Sequence, residues 1–109
     1  MKRDLGIKLN IFIDLDGTLT RTEGTGYENA QPLPERIEKV NRLYDAGHTI
    51  TIYTARGSGT HFNWTKLTER QLADWGIKYH YLSVGEKPVY DLLIDDRAMS
   101  IKEFDEWSL

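Results

Sequence analysis

The chain has 109 residues, of which 39% are hydrophobic, so it has the size of one compact domain with too little apolar content for a second core. Its 14 basic and 17 acidic side chains give a formal net charge of -3 and form no basic stripe, which argues against nucleic acid as a partner. Cysteine is absent, and this excludes disulfides, zinc-thiolate sites and thiol catalysis. We therefore expect one domain over residues 1–109.

The sequence shows no targeting or membrane-spanning segment. Lys2 and Arg3 precede an apolar stretch, but this stretch is short and runs into Asp14 and Asp16, which the core of a signal peptide would not carry. Together with the lack of cysteine, this pattern favours a cytoplasmic protein with no membrane partner.

The first predicted elements are a strand followed by a helix. Residues 9–14 form a brief apolar run, mostly β-branched and aromatic, that is stopped by Gly17 and predicts a buried strand. Over residues 34–46 the apolar side chains recur on one helical face, and Gly47 stands where a helix C-cap is expected.

The same alternation continues to the end of the chain. The further predicted elements are a strand at 48–54, a helix at 64–75, strands at 78–82 and 90–95, and a short helix at 101–107. Alternating strands and helices imply right-handed crossovers, so we expect an α/β fold: a Rossmann-like three-layer sandwich with a mostly parallel sheet and helices on both faces. Ligands bind such sheets beyond the carboxyl ends of the strands.

Two acidic residues, Asp14 and Asp16, directly follow the first predicted strand. Carboxylates this close repel each other, and a divalent cation that takes hard oxygen ligands, such as Mg²⁺, would neutralise them. A solvated acidic turn is the alternative interpretation. A calcium loop is excluded, because Gly17 is fourth where that loop needs a glycine sixth, and Thr25 stands where it needs a glutamate.

The apolar strand is followed by Asp-Leu-Asp-Gly-Thr, from Asp14 to Thr18. This pattern resembles the first motif of the haloacid dehalogenase superfamily. The resemblance implies that Asp14 is the nucleophile and Asp16 the general acid and base. It also implies that Mg²⁺ is bound by the Asp14 side chain and the Asp16 backbone carbonyl. A carboxylate is a competent nucleophile at phosphorus, and a metal ion offsets its repulsion from an anionic substrate.

Thr54 ends the second predicted strand, at the position of the superfamily's second motif, where a hydroxyl binds a phosphate oxygen. The backbone N–H groups of Ala55 and Arg56 could donate to the same phosphoryl group. The Arg56 side chain could reach the substrate too, although an exposed loop arginine without such a role is the simpler interpretation.

Lys87 and the pair Asp95-Asp96 match the third and fourth motifs in order and spacing. By the resemblance, Lys87 pairs with the nucleophile and the phosphate, and its charge offsets the charge that develops on the transferring group. Aligning the strand ends favours Asp96 as the direct metal ligand, with Asp95 orienting Lys87 or binding a metal-held water. Which of the two acids binds the metal stays open. The resemblance covers residues 9–107.

The spacing of the motifs leaves no room for a cap domain. Residues 21–33 form only a short loop, and one helix and one strand fill the interval 54–87. Capless relatives either act on large substrates that cover the site or form a homo-oligomer in which a neighbour supplies the lid. Within the chain, the glycine-containing segment 21–29 is the predicted flap, and Tyr27 offers an aromatic contact.

The predicted function is therefore magnesium-dependent hydrolysis of a phosphomonoester on a small phosphorylated substrate. Similarity to short bacterial and phage proteins described as sugar-phosphate phosphatases makes a sugar phosphate the first substrate to consider. Three alternatives remain: phosphoryl transfer of the phosphomutase kind, a dehalogenase, and a non-catalytic phosphate-binding module. Because dehalogenases replace the second aspartate and need no magnesium, that alternative is the weakest of the enzymatic ones.

Overall fold

The computed structural model describes residues 7–24, 26–57, 63–85, 91–92, 94–95 and 97–108. In chain order the elements are β1 (Asn10–Asp14), β2 (Thr20–Arg21), a 3-10 turn (Tyr27–Asn29), β3 (Gln31–Pro32), α1 (Pro34–Asp45), β4 (Thr49–Thr54), α2 (Thr65–Asp74), β5 (Tyr81–Val84) and α3 (Ile101–Glu106). The strand at 9–14, the helix at 34–46, the strand at 48–54 and the helix at 64–75 are confirmed to within one residue at each end.

β1, β4 and β5 form a parallel sheet in that order, with α1 and α2 as the two crossovers. In the register, Asp14 pairs with Tyr53 and Thr54 with Val84. The α/β fold with a parallel sheet is therefore confirmed. Because the strands are parallel, their carboxyl ends meet at one edge, and Asp14 and Thr54 both stand there.

The core lies on one face of this sheet. Ile13 of β1 and Ile50 and Ile52 of β4 join one buried cluster with residues of both long helices and with Trp107; the other buried members are Leu15, Leu19, Ile37, Val40, Leu43, Leu72 and Ile77. Phe12 and Tyr81 point from the opposite face and are 67% and 64% exposed. The described part of the chain thus shows one helical layer, and the three-layer sandwich stays a prediction.

The fourth strand, predicted at 90–95, is absent from the described residues of that segment. Residues 91, 92, 94 and 95 have no strand pairing, and residues 90 and 93 lie outside the described part of the chain. The prediction came from an apolar run, but Leu92 is 76% and Ile94 89% exposed, so burial does not hold these side chains against the sheet. β5 begins three residues after its predicted start, because Ile77 still packs in the core and Lys78 N–H donates to the Asn41 side chain.

α3 is fastened to α1 by ionic and carbonyl contacts. Ser100 and Glu103 form a reciprocal capping box at its start. The Arg36 guanidinium binds the Asp105 carboxylate through two bonds of 3.0 Å, and Lys39 Nζ donates to the last carbonyls of the helix. None of the described helices has the length and apolar character that a membrane crossing requires.

His48 closes the end of the sheet opposite to Asp14. It is 1% exposed, and its Nδ1 accepts a hydrogen bond of 3.0 Å from the backbone N–H of Leu9, which fixes the neutral tautomer. Burial lowers the pKa of His48 below its ordinary value of 6.5, and the nearby charge of Lys8 lowers it further. The unfolded chain therefore takes up this proton at a higher pH than the folded chain does.

We predict that the free energy of unfolding falls as the pH drops below about 6.5, by up to about 1.4 kcal/mol per pH unit from this group, until the folded pKa is reached. His48→Asn offers an acceptor oxygen close to Nδ1 and does not titrate. Urea unfolding at pH 7.5 and pH 5.5 should give a smaller pH difference for this variant than for the wild type. Equal differences would show that His48 does not contribute.

Candidate active site

The two aspartates of the first motif lie on either side of a buried anchor. Leu15 is fully buried, its N–H donates to the Tyr53 carbonyl, and its own carbonyl accepts from the N–H of Leu19 at 2.8 Å. The chain turns sharply here, and Gly17 at φ +88° takes the left-handed conformation that this turn needs. Asp14, the last residue of β1, and Asp16, in the turn that follows, are thereby held at fixed positions.

The carboxylate of Asp16 is surrounded by donors. Arg56 binds it through Nε to Oδ2 and Nη2 to Oδ1, both at 2.9 Å. The Thr54 hydroxyl donates to Oδ2 at 2.9 Å, and the hydroxyls of Thr22 and Thr20 lie 2.9 and 3.2 Å from Oδ1. A planar, bidentate arginine pair of this kind has both charge and directed hydrogen bonds.

Arg56 is the most deeply buried charged group of the site. Its exposure is 1%, and its remaining Nη1 donates to Thr68 Oγ1 at 3.1 Å and to the Gln71 side-chain oxygen. The Tyr27 ring centroid lies 4.9 Å from Cζ. The interpretation of Arg56 as an exposed loop arginine is therefore wrong, because the guanidinium turns inward to Asp16. Its donors are directed at protein groups.

The environment of Asp16 determines its charge. Burial raises the pKa of the carboxyl, but the hydrogen bonds and charge of Arg56 and the hydroxyl hydrogen bonds from Thr54 and Thr22 lower it by more. The pKa therefore lies below its ordinary value of 3.8, and Asp16 is ionised at neutral pH.

Asp14 has a different environment from Asp16. It is half-buried, and its Oδ2 accepts a hydrogen bond of 3.4 Å from the Thr18 hydroxyl. Asp14, Thr18 and Asp95 line a groove of about 670 Å³ that runs along β1 towards α3. Asp16 is not one of the described residues that line this groove. Asp14 thus lines the groove, whereas the Asp16 carboxylate is held by Arg56 and hydroxyl donors.

The structure brings together Asp14, Asp16, Thr54 and Arg56 from the predicted set. The Arg56 backbone N–H donates to Thr54 Oγ1 at 3.2 Å, so hydroxyl and amide bond to each other. Ala55 lies between them in the chain. Asp95 is exposed at the groove, where its Oδ1 accepts from the Arg97 N–H at 2.7 Å.

Lys87 and Asp96 lie outside the described residues. In the described part of the chain, no three His, Asp or Glu side chains are grouped closely enough to hold a metal ion. The predicted donors that the structure does place are Asp14, Asp16 and Asp95.

Sequence reasoning missed the residues that surround Arg56. Thr68 and Gln71 occupy the buried face of α2, at 0% and 7% exposure, and Thr22 lies in the flap. The signal was present: a threonine and a glutamine stand three residues apart, adjacent to the apolar stripe of an amphipathic helix that includes Leu72. Buried polar side chains require partners, and here the partner is a buried arginine.

Solved structures that are similar to this chain include the following two. An MCSG target protein from Vibrio cholerae is 29% identical, with a TM-score of 0.81, over 94% of this chain and 91% of the other. A chain of the Pnkp1/Rnl/Hen1 complex is 18% identical, with a TM-score of 0.60, over 94% of this chain and 34% of the other, and shows the fold alone. No protein-family model matches the chain, and no curated protein matches it.

Asp16→Asn should destabilise the fold on the order of 3 kcal/mol, because it leaves the buried Arg56 charge without a counter-ion. Asp14→Asn is the matched control: the same change, two residues away, on a carboxylate that is not bound to Arg56. Its effect should be smaller than that of Asp16→Asn, because the buried Arg56 charge keeps its counter-ion. Urea unfolding of both variants checks this, and equal stabilities would contradict a structural role for the Asp16–Arg56 pair.

Proposed function

We propose that this chain is a magnesium-dependent phosphatase that hydrolyses a phosphomonoester through an aspartyl-phosphate on Asp14. The observation that supports this most is the unlike environment of the two aspartates. Asp14, at the carboxyl end of β1, lines the groove that runs along this strand, while Asp16 is bound by Arg56 and hydroxyl groups. Neighbouring carboxylates in different environments can take different roles in one reaction.

In the first step an Asp14 carboxylate oxygen attacks phosphorus and forms an O–P bond. The bond from phosphorus to the ester oxygen breaks, and that oxygen leaves as an alcohol with a proton that the ionised Asp16 carboxylate has first taken up from solvent. In the second step a water oxygen attacks the phosphorus of the aspartyl-phosphate, and Asp16 accepts the water's proton. Inorganic phosphate leaves, and the Asp14 carboxylate is restored.

The Asp16–Arg56 pair bears directly on these proton transfers. The ionised carboxylate is the form needed to accept a proton in the second step. Asp16 lies two residues from the nucleophile, and its side chain keeps 20% exposure while Arg56 holds its carboxylate in one orientation. Thr54 donates its hydroxyl to Asp16 in this structure, so a phosphate oxygen bound there would compete with Asp16 for that donor.

The donor set fits magnesium in its chemistry. By the resemblance to the haloacid dehalogenase superfamily, the Asp14 carboxylate and the Asp16 backbone carbonyl would hold the ion. The Asp16 carboxylate oxygens accept from Arg56 and from hydroxyl donors. Asp95 lines the same groove and offers a further hard oxygen. When bound, the ion offsets the repulsion between Asp14 and an anionic substrate.

The substrate that we propose to test first is a sugar phosphate, with a cytoplasmic site of action. The segment predicted as a flap is a short hairpin in which β2 and β3 pair antiparallel and the 3-10 turn Tyr27–Asn29 lies at the tip. A hairpin of this size covers little of a substrate. Either a large substrate or a second copy of the chain would then complete the enclosure.

Asp14→Asn should abolish hydrolysis of p-nitrophenyl phosphate, since it removes the nucleophile and a magnesium ligand. Asp16→Asn keeps the nucleophile and should lower turnover by roughly 10²–10⁴. With radiolabelled substrate and acid quench, phosphoenzyme should accumulate in Asp16→Asn and be absent in Asp14→Asn. Label trapped only in Asp14→Asn would reverse the two roles, and absence of hydrolysis by the wild type would favour a binding module.

Removal of divalent ions with a chelator should abolish hydrolysis, and magnesium should restore it, because the acidic residues otherwise repel a phosphate. Calcium should inhibit, since its higher coordination number lets the Asp14 carboxylate bind in a bidentate way that withholds the attacking oxygen. Full activity in excess chelator would rule out this mechanism.

A further inference from the structure

One buried amide connects the hairpin to the arginine of the site. Gln71 on α2 is 7% exposed; its side-chain oxygen accepts from Arg56 Nη1, and its Nε2 donates to the Tyr27 carbonyl at 2.7 Å. A glutamine amide carries both a donor and an acceptor, and here each serves a different part of the fold.

The hairpin tip also contacts Arg56 directly. The Tyr27 ring lies over the guanidinium, 4.9 Å from Cζ, and packs edge-on against Trp64, with 5.0 Å between the ring centroids. A cation over an aromatic ring is attracted most strongly where water is excluded, as it is at Arg56. Docking of the hairpin and the position of the guanidinium are therefore coupled by two contacts, a ring and an amide.

The orientation of Asp16 depends on Arg56 in turn. The pair is bidentate, so a shift or rotation of the guanidinium plane moves both bonds to the carboxylate. Thr68 and Gln71 are the acceptors for the remaining nitrogen of Arg56. Without the Gln71 acceptor, Arg56 Nη1 would keep only the Thr68 acceptor, and the guanidinium could rotate to donate to another group.

We propose that Gln71 is a positioning residue: it transmits the docking of Tyr27 to Arg56 and so sets the orientation from which Asp16 exchanges protons with the substrate. This inference rests on the proposed phosphatase function. Gln71 is not among the described residues that line the groove, and its link to Asp16 runs through Arg56.

The kinetic test uses two substrates of matched shape. Phenyl phosphate needs protonation of its leaving group more than p-nitrophenyl phosphate does, and kcat/KM reports the step in which that group leaves. In Gln71→Leu, kcat/KM should fall roughly tenfold for phenyl phosphate and much less for p-nitrophenyl phosphate. A purely structural defect would lower both by the same factor, and that result would overturn the proposal.

Gln31→Leu is the matched control, because the Gln31 amide also donates to a backbone carbonyl, that of Asn29, but is exposed and makes no contact with Arg56. Its substrate ratio should equal that of the wild type. Tyr27→Ala leaves Gln71 in place but removes the ring, and should reproduce the Gln71→Leu ratio. Tyr27→Phe keeps the ring and should restore the wild-type ratio; a changed ratio in Tyr27→Phe would count against the coupling.

A readout without activity separates the two proposals. In the wild type the Arg56 Nε–H is buried and bonded, and should give a slowly exchanging signal in ¹⁵N NMR. Gln71→Leu and Tyr27→Ala should speed its exchange at least severalfold, while Gln31→Leu should not. Unchanged exchange in the Gln71→Leu variant would overturn the role of Gln71, whether or not the wild type hydrolyses a phosphate ester. Faster exchange in that variant, together with a wild type that shows no hydrolysis, would overturn only the proposed phosphatase function.

Discussion

The buried positive charge of Arg56 is the constraint on which the architecture around β1 and β4 depends. A cation at 1% exposure requires a counter-ion and acceptors for its donors. Asp16 supplies the charge, and Thr68 and Gln71 supply the acceptors. Because these residues come from the turn after β1 and from α2, satisfying one side chain fixes how two parts of the fold meet.

The buried charge of Arg56 also gives the two neighbouring aspartates different environments. Leu15 is fully buried and lies between the two aspartates in the chain. Asp14 and Asp16 differ in position rather than in chemistry: Asp14 lines the groove, and the Asp16 carboxylate is held by Arg56 and hydroxyl donors. Without a cation nearby, two ionised carboxylates this close would repel each other. The charge of Arg56 offsets this repulsion and keeps the Asp16 carboxylate ionised beside Asp14.

Local pattern was enough to predict β1, α1, β4 and α2, because apolar periodicity reports which face of an element is buried. It also placed Asp14 and Thr54 at the strand ends. It could not reveal that Arg56 is buried, since the cause is an acid 40 residues earlier in the chain. The segment after β5 was misjudged for the converse reason: Leu92 and Ile94 have the residue types of a strand, but burial depends on what surrounds them. Lys87 and Asp96, which lie outside the described residues, stay predictions.

The separation of Asp16 and Arg56 along the chain also has a consequence for the order of folding. The two residues are 40 positions apart in the chain. If either charge were buried alone, it would lose its hydration without gaining a counter-ion. β1 and β4 must therefore be aligned before the pair can close. We expect the pair to form after the folding transition state, in which case its stabilisation slows unfolding and leaves the folding rate nearly unchanged. The unfolding rate, rather than the folding rate, is then the quantity that depends on the residues of the candidate site.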